Sequence, residues 1–590
     1  MVLVTAKAIA LAGHDVPFSR WSPIAFLWHD AAIVLAFAAI AEATAEVAMH
    51  AEPKMSARSS RSAVTCLYAA LALYIALNVP VTRVLSTPLT WAMWRAARGP
   101  LSDSILQYAT WDTVLPTMIV VALAIGLPLA FKGGGRPHHG RPEGLRYSFL
   151  TAVLIGFVVL GPYAARRVDT RGLERNALTA IATTAMPRAL ARAPDDRWTA
   201  TGFEQTAGTE LVQFRGAGAG RHLVMVSLES TAAQYLGLYG ATRDVMPNLT
   251  ALANHAIVFD HAYAAYPESI KGLFSILCSA YPALNRPAES YADAPCASIA
   301  DVLGRRGYRT ALFHSGRFGY LGMESIVRRR GYDVLEDAGD IGGQHESSFG
   351  VDEPSTVARI LKWIDTLSAS DRFFITYLPI AGHHPYETPE PGPIPERSDI
   401  DRYGNALHYS DAALGALIHG LRARGLEEHT LWVIFGDHGE AFGQHDGNYG
   451  HTFQIFDENV HVPFIVAAPG LITRQIRSAQ VVSLIDTSPT LLDAIGEPAP
   501  DVYQGRSMLE GPPRMAFFFA DYSLGLLGLR DGRFKMIYEL DSGRARLYDV
   551  ERDPREMTDL STQHIERAAW YARDLRHWSA AQDLRLAAAR

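Results

Sequence analysis

Long runs of apolar residues dominate the first 165 residues of the chain. Four of them lie at Pro23–Ala43, Ala63–Thr82, Leu115–Phe131 and Tyr147–Ala165. Each is close to the roughly 20 residues that a helix needs to cross a hydrocarbon layer. The pattern therefore predicts a transmembrane domain of about four helices over residues 1–165. Buried core helices are the alternative, whereas a cleaved signal peptide is disfavoured because no basic start precedes a short apolar stretch.

The basic residues of the loops bear on orientation. Seven Lys and Arg residues lie between runs one and two and between runs three and four, against five in the other short segments. Basic loops tend to stay in the cytoplasm, so both ends of this domain are predicted to lie outside. Four arginines directly after the fourth run argue for the opposite orientation. We expect a multi-pass protein of the cell or inner membrane whose C-terminal domain is extracytoplasmic.

Beyond the fourth run the pattern changes twice. Residues 166–219 are predicted to form a connector helix and linker, with a flexible joint at Gly216–Gly220. From residue 220 to 590, short β-rich apolar runs alternate with helical stretches, which predicts an α/β domain whose mostly parallel central sheet is covered by helices on both faces. The candidate strands are Leu223–Leu228, Thr310–His314, Phe373–Leu378, Leu431–Phe435 and Pro463–Ala468.

The composition agrees with this mixture of apolar and polar parts. Of the 590 residues, 48% are hydrophobic and 19% charged, and the mean hydropathy of +0.03 is high for a wholly soluble enzyme and low for a transporter. The net charge of −7 argues against a nucleic-acid partner. Three cysteines are too few for a disulfide scaffold or a cysteine-built zinc cluster.

Polar residues with metal-binding chemistry follow three of the candidate strands. Glu229 follows the first, His383 and His384 come after the third, and Asp437 and His438 follow the fourth. The carboxyl ends of parallel strands meet at one edge of a sheet, where ligands bind. Two carboxylates and a histidine from separate strands could hold one divalent ion there. Taken singly, each has a structural reading, as a helix cap or a turn.

Longer motifs in this region resemble the sulfatase branch of the alkaline phosphatase superfamily. They include GDHGEAFGQHDGNYGHTFQIFDENVHVPFIV, SLIDTSPTLLDAIG and LYDVERDPREMTDL, and the resemblance runs from about residue 221 to 561. In sulfatases a Tyr-Pro pair commonly closes the helix that the nucleophile begins. Counting back from Tyr281-Pro282 in SIKGLFSILCSAYP gives Ser269. The proline and arginine required for formylglycine maturation do not follow Ser269, so we expect an unmodified hydroxyl.

A second departure points to a narrower group. Sulfatases usually carry an aspartate pair after the first strand, whereas this chain has Glu229-Ser230. That Glu, a hydroxyl nucleophile and a later Asp-His are similar to membrane-bound lipoteichoic acid synthases and to phosphoethanolamine or phosphoglycerol transferases, in which the nucleophile is usually threonine. The resemblance implies one divalent ion (Mn²⁺, Zn²⁺ or Mg²⁺) held by Glu229, Ser269, Asp437 and His438.

The resemblance also implies residues that handle the substrate. His383 matches the position that contacts the bound ester, and His451 matches a position beside it, where a histidine is a candidate general acid for the leaving group. Four further residues are candidates for substrate binding, each with a solvated or salt-bridged side chain as its ordinary alternative: Lys271, Arg317, Asp352 and His445.

The three cysteines divide into a pair and a single residue. Cys278 and Cys296 flank a short loop after the predicted nucleophile helix, whereas Cys66 lies inside the second apolar run. Outside the cytoplasm, a disulfide between the first two would brace that helix, and two buried thiols are the alternative.

The sequence therefore predicts a membrane-anchored, metal-dependent enzyme that transfers a substituted phosphoryl group through Ser269. A membrane lipid is the expected donor, and a lipid or glycan of the cell envelope is the expected acceptor. A hydrolase of sulfuric esters or phosphodiesters would share nearly every motif and stays an alternative. A catalytically inactive membrane scaffold is a third possibility, against which the retention of the complete nucleophile and ligand set argues.

Overall fold

The computed structural model describes residues 1–50, 56–96, 110–132, 143–186, 203, 211–346, 350–510 and 514–588. The last part of the predicted connector helix, from residue 187 onward, lies outside these ranges. The helices of the N-terminal part are α1 (Val2–Leu11), α2 (Ser22–His50), α3 (Ser56–Leu85), α4 (Trp91–Ala96), α5 (Trp111–Lys132), α6 (Glu143–Ala165) and α7 (Ala177–Thr184).

The C-terminal part contains the remaining elements. Its helices are α8 (Pro247–Leu252), α9 (Ser269–Cys278), α10 (Ile299–Arg305), α11 (Glu324–Val327), α12 (Ala338–Ile341), α13 (Glu353–Ile364), α14 (Asp399–Ala423), α15 (Asp457–Val460), α16 (Thr487–Ala494) and α17 (Ile565–Ala588). Its strands are β1 (His222–Leu228), β2 (Ala256–Tyr263), β3 (Tyr308–His314), β4 (Val334–Glu336), β5 (Arg372–Leu378), β6 (Thr430–Gly436), β7 (Ala441–Phe442), β8 (Tyr449–Gly450), β9 (His461–Ala467), β10 (Ile476–Ser483), β11 (Met515–Ala520), β12 (Leu526–Asp531), β13 (Phe534–Glu539) and β14 (Ala545–Asp549).

Four N-terminal helices are long and apolar enough to cross a membrane. The spans are Ser22–Val47, Ser62–Leu85, Trp111–Ala130 and Ser148–Ala165. Many of their large apolar side chains face outward, among them Leu77, Leu115, Ile125, Phe149 and Val159. A helix with an apolar outer surface is suited to lipid rather than to water. The four predicted apolar helices are confirmed and indicate a membrane protein.

The segments that follow α3 and α6 contact the C-terminal domain. Thr90 Oγ1, which follows α3, donates to the backbone carbonyl of Tyr522 (2.5 Å). Arg166 Nε, which follows α6, donates to the carbonyl of Ser542 (3.1 Å). Both segments are ones that the charge of the loops predicts to be extracytoplasmic, and both lie against this domain.

The predicted connector is also held in place where it is described. Asp169 forms an ion pair with Arg544 (2.5 Å). At the end of the connector, Gly216 N donates to the carbonyl of Asp493 (2.8 Å). The segment that composition favours as a flexible joint is therefore hydrogen-bonded to α16.

The C-terminal domain is built on an eight-stranded sheet in the order β10–β2–β9–β6–β1–β5–β3–β4. Strand β9 is antiparallel to both of its neighbours, and the other adjacent pairs are parallel. Alternate residues of β1 enter different apolar clusters, Leu223 on one face of the sheet and Val224 on the other. Both faces are therefore covered, and the predicted α/β class with a mostly parallel sheet is confirmed.

A second sheet follows, which the sequence pattern does not predict. It has four antiparallel strands in the order β11–β12–β13–β14. Phe517 and Trp578 stack across the contact between β11 and α17 (5.2 Å between ring centroids). Apolar side chains of this sheet belong to two buried clusters, and β11 (MAFFFA) is apolar at every position, so it does not show the alternation that marks a half-exposed strand.

Candidate active site

The neighbouring strands β1 and β6 bring two carboxylates and an imidazole to one edge of the sheet. Glu229 directly follows β1, and Asp437 and His438 directly follow β6. Asp437 Oδ1 accepts the backbone N–H groups of Ser230 (2.9 Å) and His438 (2.8 Å), which fixes the orientation of its carboxylate. Potential ligand atoms of Glu229, Asp437 and His438 all lie within 4.8 Å of one another, and the three side chains are buried.

The electrostatics of this cluster fit a bound cation. His438 Nδ1 donates to the carbonyl of Gly439 (3.0 Å), so the lone pair of the neutral ring is on Nε2. That nitrogen faces Asp437 Oδ2 at 3.5 Å and Glu229 Oε1 at 3.6 Å. Burial lowers the pKa of His438, and burial together with the adjacent Asp437 raises the pKa of Glu229 well above its usual range. A lone pair and two carboxylates repel one another unless a cation lies between them, so this donor set suits a divalent ion.

Ser269 completes the cluster from the first position of α9. Its Oγ lies 2.9 Å from Glu229 Oε2 and 3.2 Å from His438 Nε2. The amino end of a helix carries a partial positive charge, which favours an anion beside this hydroxyl. The structure therefore brings together the four residues that the resemblance implied as nucleophile and ligands.

His451 lies beside this cluster and is paired with a buried acid. The rings of His451 and His438 are 4.2 Å apart between centroids. His451 Nδ1 is 2.6 Å from Glu440 Oε2, and Tyr386 OH donates to the other carboxylate oxygen. Burial disfavours the charged ring, but Glu440, with smaller contributions from Glu229 and Asp437, outweighs burial and raises the pKa of His451 to about 9. A protonated imidazole in this position can give its proton to a leaving group.

Glu440 is a functional candidate that the sequence analysis missed. It immediately precedes β7, and His451 immediately follows β8, so the pairing of these two short strands brings the side chains together. Sequence spacing does not reveal that pairing. His438, Glu440 and His451 are also close enough to be ligands of one ion, but both oxygens of Glu440 are already engaged by His451 and Tyr386.

A cavity of about 430 Å³ opens onto Ser269 and has two kinds of wall. On the side of the C-terminal domain, apolar residues such as Leu321 and Ile380 surround a group of reactive and polar side chains: Glu229, Ser269, Arg317, His383 and His451. Its opposite wall is apolar and comes from the end of α3 and the segment after it: Val81, Leu85, Leu89 and Met93. The cavity therefore lies between a predicted membrane helix and the candidate catalytic groups.

Two of the predicted substrate residues reach this cavity. Burial, and then the neighbouring His451, lower the pKa of His383 to about 4, so its ring is neutral near pH 7. Arg317 lies at the wall with its guanidinium 3.7 Å from the carboxylate of Glu346. A cation at that wall is suited to an anionic ester.

Two other predicted substrate residues have structural contacts away from the cavity wall. Asp352 caps α13 by accepting the N–H of Ser355 (2.9 Å) and two further backbone N–H groups before it. His445 Nδ1 lies 2.6 Å from Glu458, and its ring stacks on Phe456 at 3.6 Å between centroids. Asp352 and His445 are not among the residues that line the cavity, and these contacts favour the structural alternative for both.

Lys271, the remaining predicted substrate residue, is paired with a buried acid. Although it lies two residues after Ser269, its side chain is buried, and its ammonium donates to Asp521 (3.0 Å) and to Tyr266 OH (3.1 Å).

Replacing it as Lys271→Met is expected to lower the free energy of unfolding by about 3–5 kcal/mol, because the Asp521 carboxylate would remain buried without its cation. Denaturant unfolding of the full chain measures this, and the Lys271→Met/Asp521→Asn double variant should recover part of the loss, because a neutral amide oxygen still accepts from Tyr266 or Asn285. A weaker KM at unchanged stability would instead support a role in substrate binding.

Cys278, at the end of α9, is bonded to Cys296, while Cys66 is a free thiol. The bond ties the helix that begins with Ser269 to the loop after it, across a separation of 18 residues. It therefore restrains the element that positions the candidate nucleophile.

Comparison with known proteins places this geometry in a family context. Residues 221–497 match the family model described as Sulfatase. Lipoteichoic acid synthase-like YvgJ of Bacillus subtilis is 24% identical over 315 residues, which cover 50% of this chain and 51% of the relative. Arylsulfatase K of Canis lupus familiaris is 23% identical over 449 residues, which cover 60% and 82% respectively. The chain thus spans about half the length of the first relative.

A solved structure agrees at the level of fold. The crystal structure of a protein in the alkaline phosphatase superfamily from Vibrio parahaemolyticus matches with a TM-score of 0.53 and 22% identity, over 63% of this chain and 90% of that one. Residues 221–497, which match the family model, include the sheet edge that carries Glu229, Asp437 and His438. Residues 221–497 thus match the Sulfatase family model and have the fold of this alkaline phosphatase superfamily protein, and the chain is similar in sequence both to a lipoteichoic acid synthase-like protein and to an arylsulfatase.

Proposed function

We propose that this chain is a membrane-anchored enzyme that transfers a substituted phosphoryl group, of the phosphoethanolamine or phosphoglycerol type, from a membrane lipid through Ser269 to an acceptor in the cell envelope. The observation that carries the proposal is the two-sided cavity. Its polar wall holds the nucleophile and the ligand cluster, and its apolar wall comes from the end of a predicted membrane helix. A lipid donor needs both walls, because its head group is charged and its glycerol ester is apolar.

The residues that would hold a divalent ion are Glu229, Ser269, Asp437 and His438. When bound, such an ion (Mn²⁺, Zn²⁺ or Mg²⁺) supplies positive charge that stabilises the phosphoryl oxygens and lowers the pKa of the serine hydroxyl. The protein's own groups then have separate tasks. Glu229 Oε2 lies 2.9 Å from Ser269 Oγ and accepts the hydroxyl proton. Arg317 and the neutral ring of His383 lie where they can hold the anionic ester.

Transfer takes place in two displacements at phosphorus. In the first, Ser269 Oγ bonds to phosphorus while the bond from phosphorus to the glycerol oxygen breaks. His451, kept protonated by Glu440, gives its proton to that oxygen, and diacylglycerol leaves. In the second, an acceptor hydroxyl gives its proton to the now neutral His451 and bonds to phosphorus. The bond to Ser269 breaks, and the serine oxygen recovers its proton from Glu229.

Hydrolysis of a sulfuric ester or phosphodiester is the second candidate function. The observation that favours it is the similarity to arylsulfatase K, which covers 82% of that relative. The same nucleophile and acid would serve, with water in place of the acceptor hydroxyl. The apolar wall at Leu85, Leu89 and Met93 favours transfer from a lipid, because a water-soluble ester does not require it.

The full chain in lipid vesicles tests this proposal. Vesicles contain phosphatidylethanolamine or phosphatidylglycerol labelled in the head group, with a divalent ion and an envelope lipid extract as acceptor. We expect metal-dependent release of diacylglycerol and movement of the label to a new lipid or glycan. Release of diacylglycerol with the label only in water would favour the hydrolase. Rapid turnover of an aryl sulfate with no diacylglycerol would contradict the proposal.

A further inference from the structure

The hairpin that ends at His451 is held at its far end by the N-terminal part of the chain. Asp446 lies at the tip, between β7 and β8. Arg171 Nη1 donates to Asp446 Oδ2 (2.8 Å), and so does the backbone N–H of Asp15 (2.9 Å). The other carboxylate oxygen lies 3.1 Å from His14 Nδ1. One carboxylate thus joins the hairpin to a segment before α2 and to a segment after α6.

The next residue of the tip lies against the end of α3. Gly447 has a φ of +74°, and a Cβ atom added there would lie 1.7 Å from Ser86 Oγ, so the tip approaches this segment as closely as only glycine allows. His14 Nε2 also lies 2.8 Å from the carbonyl of Arg83. The tip therefore meets the segments that border three of the predicted membrane helices.

The path from the tip to the active site is short. The ladder consists of two residue pairs, Ala441 with Gly450 and Phe442 with Tyr449. Glu440 and His451 lie directly at its base. A hairpin of this length is not stable by itself, so its position depends on what holds its ends. The contacts of Asp446 therefore bear on where His451 lies.

We propose that Asp446 is a positioning residue, which fixes the β7–β8 hairpin to the ends of the membrane helices and thereby holds His451 against the ester. The consequence for the leaving group rests on the proposed function. The docking of the hairpin does not rest on it, because the contacts of Asp446 are the same whichever ester the enzyme uses. The N-terminal part is then a component of the active site as well as an anchor.

The hairpin is also attached to the C-terminal domain, which makes the proposal testable without loss of the fold. Asn448 Nδ2 donates to Glu458 Oε1 and to Asn459 Oδ1, each at 2.8 Å, within the C-terminal domain. Removing the Asp446 contacts should therefore release the tip from the N-terminal part of the chain, while Asn448 keeps the hairpin attached to the C-terminal domain. The variants are Asp446→Asn and Arg171→Met, with Arg171→Lys as the conservative replacement.

A matched control exists at the same junction. Asp541 forms an ion pair with Arg175, which follows Arg171 in the connector, but it is not part of the hairpin. Asp541→Asn therefore removes an ion pair between the two parts of the chain and leaves the Asp446 contacts intact. Any effect of a generally weakened junction should appear in this variant too.

The first readout compares leaving groups in the full chain. The nitrophenolate of a nitrophenyl phosphodiester leaves without taking up a proton. The alkoxide of an alkyl phosphodiester needs a proton from His451 to leave. For Asp446→Asn we expect alkyl-ester kcat to fall about tenfold or more and nitrophenyl-ester kcat to change by less than about threefold, as in His451→Gln. Arg171→Met should show the same selective loss on the alkyl ester. Arg171→Lys should keep most of the wild-type rate, and Asp541→Asn should keep the wild-type rate on both esters. Equal losses on both esters would overturn the proposal.

The second readout is hydrogen exchange of the full chain in vesicles, with no substrate present. In Asp446→Asn the backbone amides of residues 441–450 should exchange at least about threefold faster than in the wild type and in Asp541→Asn. Unchanged exchange in Asp446→Asn would overturn the proposal whatever ester the enzyme uses. Failure of the wild type to release diacylglycerol would overturn only the proposed function, because the exchange result stands apart from it.

Discussion

Ser269→Ala is expected to reduce turnover to background, by about 10³-fold or more, because it removes the hydroxyl that would attack the ester. Among the described residues, Ser269 Oγ is the hydroxyl that contacts both Glu229 and His438. The backbone of α9 does not depend on this side chain, since residue 269 begins the helix and its hydroxyl faces the cluster. Loss of activity should therefore occur without a loss of stability.

Intact-mass analysis of the full chain after incubation with the donor lipid measures the same step directly. The wild type should gain the mass of the transferred head group, and Ser269→Ala should gain nothing. Ser269→Thr keeps a hydroxyl at this position and should still form the adduct. Ser275→Ala is the matched control, because Ser275 lies on the same helix and its hydroxyl is bonded to the carbonyl of Gly272. An adduct that persists in Ser269→Ala would place the nucleophile elsewhere.

Asp437→Asn is expected to weaken the binding of a divalent ion by about 100-fold or more, because it replaces a charged ligand with a neutral amide. Glu229→Gln should act in the same way. The two carboxylates also repel each other when no cation separates them. We therefore expect Asp437→Asn to be at least as stable as the wild type in the presence of a chelator, and less stabilised than the wild type when metal is added.

Metal analysis and thermal unfolding of the full chain, with and without added Mn²⁺ or Zn²⁺, check this pair of effects. Asp411→Asn is the control, since Asp411 is equally buried but accepts the backbone N–H groups of Asn248 (2.8 Å) and Leu249 (2.9 Å). It should lose stability and keep its metal. Stoichiometric metal in Asp437→Asn, bound as tightly as in the wild type, would show that the ion lies at another site.

The features that the sequence predicted well are those with a local physical signal. Runs of about 20 apolar residues predicted the four helices that are long and apolar enough to cross a membrane. The five predicted strands are all present, with ends that differ by no more than two residues. Glu229 and Asp437 were found because parallel strands place the residues after them at a common edge, so the position of a strand end is enough to predict proximity.

Features that depend on partners distant in sequence could not be predicted. Strand β9 is antiparallel within the sheet, but a strand that is apolar on both faces looks the same in either direction. The pairing of Glu440 with His451 requires the register of a two-residue ladder. Lys271 has the position of a substrate contact, and only the three-dimensional fold shows that Asp521, 250 residues later, takes its charge.

The bond between Cys278 and Cys296 has a consequence for how the protein matures. Three cysteines allow three pairings, but Cys66 lies within a predicted membrane helix, away from the aqueous side where the other two meet. Only one pairing is then open to an oxidant, and it closes a short stretch of chain at small entropic cost. A simple thiol oxidase should be sufficient for correct assembly, with no need for an isomerase to correct mispaired bridges.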